Sequence, residues 1–172
     1  MRSVKHAGSA LGEAIGKLIQ EGVFEMVQEV AHKHGFRATS RRLRNSMDNL
    51  HEVDIVVEDV QEEPVILIEP KYLRYTKHNW DKGSRLCIAH YLLRRNYPTV
   101  RKSICVLAGN WTEQAKQFIH SFGIETYEIP FDTIVTALQG HGVEFEWHEQ
   151  DRDAPVIAWA TRDLWRSPGI VI

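Results

Sequence analysis

Asp54, Glu69 and Lys71 are the side chains of this sequence whose types and spacing could do chemistry together. Glu69 and Lys71 belong to the sole acid-x-Lys triplet in the chain, E-P-K, and Asp54 precedes that glutamate by 15 residues. Residues i and i+2 of a strand project from one face, so a strand ending here presents Glu69 and Lys71 together. A neighbouring strand carrying Asp54 would bring a second carboxylate beside them. One ammonium then faces two carboxylates. The excess carboxylate is costly in a partly buried site unless a cation is present. A hard divalent ion is the natural complement, because Mg²⁺ takes oxygen ligands at about 2.0–2.1 Å and keeps several waters that a phosphate can displace. Mn²⁺ is expected to substitute for it.

The elements that must position these residues can be read from periodicity. Residues 51–58, HEVDIVVE, alternate as a strand with Val53, Ile55 and Val57 on one face, and residues 64–70, PVILIEP, read as a buried strand. The short polar DVQEE between them predicts a hairpin. Upstream, residues 9–34 read as one long helix with Leu11, Ile15, Ile19, Gly22, Val23, Met26 and Val30 on a single stripe. Ser9 is its expected N-cap and Gly35 its stop. Residues 36–40 predict a short strand, and the following RRLRNSMDN reads as polar and turn-like.

Downstream, residues 78–96 predict a helix, 102–107 a short apolar strand, and 112–122 a helix capped by Thr112. Residues 124–129 predict a strand, and Pro130 opens a helix that runs to about Leu138 and breaks at Gly140 and Gly142. The segment VEFEW alternates like an edge strand, and the tail beyond it carries Trp147, Trp159 and Trp165. A hairpin followed by βαβ crossovers gives an α/β (α+β) fold: a central mixed β-sheet flanked by helices. The expectation is a single domain over residues 1–172, with 140–172 as a C-terminal appendage.

An Asp followed after 15 residues by Glu-Pro-Lys resembles the signature of the PD-(D/E)XK nuclease superfamily. The element order over residues 10–130 is similar to its restriction-endonuclease-like core. The resemblance implies that Asp54 and Glu69 bind the metal, that Lys71 positions or polarises the attacking water, and that the backbone carbonyl of Pro70 is a further ligand. It also implies an acid from the first helix. Glu25 is preferred, because it borders the apolar stripe and leads down to the first strand. Glu21, one turn earlier, is the alternative. Two departures are visible. The proline of the family's name is Val53 here, and Pro70 offers no N–H to the sheet, so the strand should end or lie unpaired at that point. No Gln-x-x-x-Tyr follows the lysine. The implied activity is Mg²⁺-dependent endonucleolytic hydrolysis of DNA phosphodiester bonds, as in a small type II restriction enzyme or a structure-selective or repair nuclease of the same fold.

The formal net charge of −2 hides a segregation. Residues 32–51 carry five Lys/Arg against Asp48 alone, residues 52–69 carry seven acids and no Lys/Arg, and residues 70–102 carry nine Lys/Arg against Asp81 alone. The near-neutral total therefore does not exclude a polyanionic partner. Arg41, Arg42 and Arg44 on one side and Lys77 and Arg85 on the other are the expected DNA-phosphate contacts.

The composition, 43% apolar and 26% charged, excludes a disordered chain and a wholly basic chromatin-type protein. No apolar run reaches the ~18 residues of a membrane span, and the N-terminus has no clean cleavage signature, so no membrane association and a cytoplasmic location are expected. Cys87 and Cys105 sit in apolar surroundings without zinc-ligand spacing and read as small core residues. The nine histidines form no paired metal motif, and His90 reads as a packing residue. No GxxxxGK[ST] loop is present for nucleotide binding. A rival reading keeps the fold and makes the chain a non-catalytic nucleic-acid-binding module. The Trp-rich tail and the apolar end GIVI suit either a homodimer surface or closure of the core.

Overall fold

The computed structural model describes residues 7–143, 145 and 146. The chain opens with helix α1 (Ala7–Lys33), and Ser9 therefore lies within its first turn rather than capping it. Leu11, Ile15, Ile19 and Val23, spaced every fourth residue, are all buried and fix the helix against the sheet. Gly16 lets the helix approach closely: a Cβ there would already touch Tyr72 at 3.7 Å. The helix ends in a paired C-cap. Gly35 takes φ 78°, its N–H bonds His32 O, and Phe36 N–H bonds Ala31 O. The lower half of the expected stripe is not core. Met26 and Val30 are exposed and line an apolar groove with Phe36, Val57 and Ile66.

Five strands follow in the spatial order β1-β2-β3-β4-β5: β1 (Arg37–Arg44), β2 (Leu50–Glu58), β3 (Pro64–Leu73), β4 (Lys102–Gly109) and β5 (Glu125–Pro130). The first three are antiparallel neighbours, and β3, β4 and β5 run parallel. Each parallel connection carries a helix, α2 (Asn79–Asn96) after β3 and α3 (Glu113–Ser121) after β4, and α4 (Phe131–Gly140) follows β5. Thr112 caps α3 as expected, its hydroxyl accepting from Ala115 N–H. Helices α1 and α4 pack with Ile55, Val57, Ile68 and Val106 on one face. Helices α2 and α3 pack with Leu67, Cys105 and Leu107 on the other, where both cysteines are buried as core residues. The chain is thus a five-stranded mixed sheet flanked by helices.

Three local expectations need correcting. The segment RRLRNSMDN is not all turn: Arg41–Arg44 continue β1, paired with β2, and the turn is confined to 45–49. Leu43 is its lone fully buried side chain, and the arginines around it are charged as an edge strand tolerates. Asn45 Oδ1 accepts from the N–H groups of Met47 and Asn49 and fixes the turn. The strand through Pro70 neither ends nor lies unpaired there. Pro70 is in register with Val106, and β3 runs on to Leu73. By that point the β2 ladder has already stopped at Ile55↔Ile68, so β3 is paired on one side only and tolerates a residue without an N–H. Finally, Val143, Phe145 and Glu146 of VEFEW belong to no strand, and Phe145 is wholly buried beside Tyr72 and Phe131. Glu144, Trp147, Trp159 and Trp165 lie outside the described residues.

Candidate metal and phosphate site

The site forms where β2 and β3 part. Along β1, Thr39 pairs with Val56 and Arg41 pairs with Val53, so Ser40 alone faces both Asp54 and Ile55. This bulge resets the alternation of β2. Val53 packs with Val56 and Leu67 on the α2 face, whereas Ile55 and Val57 pack under α1. The expected common face for Val53, Ile55 and Val57 is therefore not observed. The bulge leaves Asp54 at the boundary between the faces, within reach of both sides of the sheet.

Glu69 and Lys71 project from β3 toward Asp54 as their i, i+2 spacing predicts. Lys71 Nζ donates to Asp54 Oδ2 at 2.7 Å and forms an ion pair with Glu69 Oε2. Each carboxylate places its second oxygen on a different partner. Gln20 Nε2 of α1 donates to Asp54 Oδ1 at 2.7 Å. His51 Nε2 lies 3.1 Å from Glu69 Oε1, and His90 Nε2 of α2 lies 3.7 Å from that same oxygen. Glu69 is 3% exposed and His90 0%. Neither ring nitrogen of His90 has a hydrogen-bond partner among the described residues. A buried polar group left so costs about 1–3 kcal/mol.

The electrostatics divide the two carboxylates. Burial opposes charge on Glu69, but the contacts of His51 and His90 and the charge of Lys71 outweigh it and hold this carboxyl well below the usual range. At Asp54, burial dominates. It pushes the carboxyl up, Lys71 pulls it back, and the neighbouring Glu69 charge adds to the rise. Lys71 is desolvated too, yet Glu69 and Asp54 together hold it above the ordinary lysine value. Glu69 and Lys71 are thus the firmly charged pair, and Asp54 is the more easily protonated member.

Among the described residues no three His, Cys, Asp or Glu side chains surround a common point. The oxygen donors available are the carboxylates of Asp54 and Glu69, with the Pro70 carbonyl between Glu69 and Lys71 in sequence. This donor set suits Mg²⁺, which binds through one or two carboxylates and keeps its remaining positions for water and phosphate. Two carboxylates close enough to share one ammonium can share one cation.

Asp54 opens into a cleft of about 500 Å³, lined by Lys17, Gln20, Glu21, Phe24, Glu25 and Ser40. Both expected helix acids reach this cleft, and Glu21 pairs with Lys17 at 3.5 Å. The α1 side chain that bonds Asp54 is Gln20. Reading the sequence for metal-binding acids passed over it, as well as His51. His90 was assigned to packing, which it does, but its ring also faces Glu69.

Four of the five expected phosphate contacts are already engaged with acids. Arg41 pairs with Glu58, a fully buried carboxylate that Arg37 also holds at 3.0 Å. Arg42 lies 3.7 Å from Glu52, Arg44 3.0 Å from Asp48, and Arg85 3.1 Å from Asp81. Lys77 Nζ stacks over the Tyr75 ring at 5.3 Å. Arg41 and Arg42 pair with Val53 and Glu52 across the β1–β2 ladder, so the basic edge borders Asp54.

No known family profile matches this chain, and no curated protein matches it significantly. A solved structure titled "Crystal Structure of Protein of Unknown Function AF1548" is similar at a TM-score of 0.46 and 15% identity, over 87% of this chain and 100% of that one. A likeness that weak carries no argument. No helix among the described residues is long and apolar enough to cross a membrane.

Proposed function

We propose that this chain is a Mg²⁺-dependent nuclease that hydrolyses DNA phosphodiester bonds, built on a restriction-endonuclease-like core. The observation that carries the reading is the convergence of Asp54 and Glu69, from strands that have just separated, on the single ammonium of Lys71. Asp54 and Glu69 would hold the metal, with the Pro70 carbonyl as a further oxygen. When bound, Mg²⁺ polarises the phosphoryl group and lowers the pKa of a coordinated water. The chain's own groups do the rest. Glu69 stays ionised because it is held below the usual carboxylate range. Lys71 carries the positive charge that meets the charge developing on the phosphate oxygens. Gln20 fixes the Asp54 carboxylate from the α1 side.

Phosphate contacts along the duplex are supplied best by Arg42 and Arg44. Their ion pairs are exposed, and such pairs contribute only about 0–1 kcal/mol, so a phosphate can replace the acid. Arg41 is committed to buried Glu58, which would be left uncompensated without it. Lys77 and Arg85 follow Lys71 in the chain, on the turn before α2 and on α2 itself. A homodimer would place two such sites on the two strands of a duplex, as a small restriction enzyme requires. A single site suits a structure-selective or repair nuclease.

A second reading, a non-catalytic nucleic-acid-binding module in a cytoplasmic protein, is favoured by the ion pairs that already tie Asp54 and Glu69 to Lys71. The two are separated by incubating the protein with plasmid, single-stranded DNA and RNA, with Mg²⁺, with Mn²⁺ and with chelator. The nuclease reading expects metal-dependent cleavage of DNA. Salt-sensitive binding without cleavage under every condition supports the module.

A further inference from the structure

The proposed metal chemistry uses the Oε2 side of Glu69 and leaves the Oε1 side unexplained. On that side two imidazoles from different elements converge. His51 comes from β2, on the same face as Val53, and bonds Oε1 at 3.1 Å. His90 comes from α2, is fully buried, and directs Nε2 at that oxygen from 3.7 Å. Neither nitrogen of the His90 ring finds a partner elsewhere among the described residues, so packing alone does not account for a polar ring at this place. A leucine would fill the space without an unmet hydrogen bond.

Resting on the metal reading above, we infer that His51 and His90 are positioning residues that hold Glu69 Oε1, so that Oε2 stays turned toward Lys71 and the cation. The arrangement matches the other carboxylate. Asp54 has one oxygen on Lys71 and the other on the neutral amide of Gln20. Glu69 has one oxygen on Lys71 and the other on His51, with the His90 ring 3.7 Å from that second oxygen. A ligating carboxylate swings freely unless its second oxygen is tied, and such outer contacts govern metal affinity by about 10–100-fold. His90 sits about 0.8 Å beyond the ~2.9 Å of a normal N–H···O bond. It is close enough to complete the contact with a small side-chain adjustment.

The test is calorimetric titration of the full chain with MnCl₂ in the absence of DNA, alongside thermal unfolding without metal. His90→Phe keeps a planar ring and removes both nitrogens. It is expected to weaken Mn²⁺ binding about 10–100-fold, and His90→Gln, which restores a donor, to recover part of the loss. His51→Leu lies at a partly exposed position and provides a variant that folds should His90→Phe not. It is expected to weaken binding in the same direction. Binding as tight as wild type in His51→Leu and His90→Gln, with no loss in His90→Phe, overturns the positioning role and leaves the metal reading standing. Absence of Mn²⁺ binding by the wild-type chain overturns both.

Discussion

Lys71 Nζ lies 2.7 Å from Asp54 Oδ2 and forms an ion pair with Glu69, so one ammonium bridges carboxylates carried by two different strands. Two negative charges thus meet one positive charge in a largely desolvated place. The excess falls on Asp54, whose carboxyl is raised by burial, while Glu69 is held low. A cation arriving there relieves Asp54 directly.

The pH dependence has a definite sign. A carboxyl raised in the folded state binds its proton more tightly there than in the unfolded chain. Its contribution to stability is present at low pH and is lost as pH rises through the raised folded value. Without metal, the difference in stability between wild type and Asp54→Asn should therefore decline as pH climbs from the ordinary aspartate range, because only wild type pays for ionising this group. Chemical denaturation of both proteins across pH 4–8 checks this, the window opening at about the ordinary Asp value of 3.9. Added Mg²⁺ should raise wild-type stability at neutral pH and leave Asp54→Asn unchanged.

Gln20 is the α1 contact to Asp54. Gln20→Leu removes a hydrogen bond to a charged group and should cost about 1.5–3 kcal/mol in denaturant unfolding. It should also reduce DNA cleavage about tenfold, the lower end for loss of an outer contact to a metal ligand. Glu25→Gln and Glu21→Gln, assayed in parallel, show whether the acids in the same cleft contribute. Each of them should cost less than Gln20→Leu, the residue that bonds Asp54.

Gly109 closes β4 at φ 90°, and a Cβ there would lie 2.1 Å from Leu73 O. The adjoining Asn110 N–H bonds that same carbonyl at 2.7 Å, so the backbones cannot part. Gly109→Ala combines left-handed strain with a backbone clash and should destabilise by about 2 kcal/mol or more. Loss of thermal stability without a change in metal affinity per folded molecule is the expected pattern, since Gly109 touches none of the site residues.

Much of this arrangement was legible in the sequence, for reasons that are local. The i, i+2 spacing of Glu69 and Lys71 and the short connection to the preceding strand require the observed juxtaposition once both segments are strands. The β1–β2 bulge was not legible. Its cause is one residue, Ser40, facing two, and the letters around Asp54 read as unbroken alternation. That one offset moves Val53 to the α2 face. His51 reaches Glu69 across the same face, although nothing in its spacing from Asp54 points there. The contacts of Gln20 and His90 depend on how helices α1 and α2 are rotated over the two faces, which is set by Leu11, Ile15 and Ile19 on one side and by Leu86 and Leu93 on the other. The strand character of Arg41–Arg44 was masked because Leu43 is the one buried side chain among these four residues of an edge strand.

Whether Asp54, Glu69 and Lys71 carry a nuclease is decided by cleavage of supercoiled plasmid DNA by the purified chain in Mg²⁺, measured for wild type, Asp54→Asn, Glu69→Gln and Lys71→Met. The account predicts Mg²⁺-dependent conversion by wild type, abolished by chelator, and losses of about 10²–10³-fold or more in each variant. Wild-type cleavage that persists at full rate in all three variants, or a wild-type chain that binds DNA and never cuts it with Mg²⁺ or Mn²⁺, would contradict it.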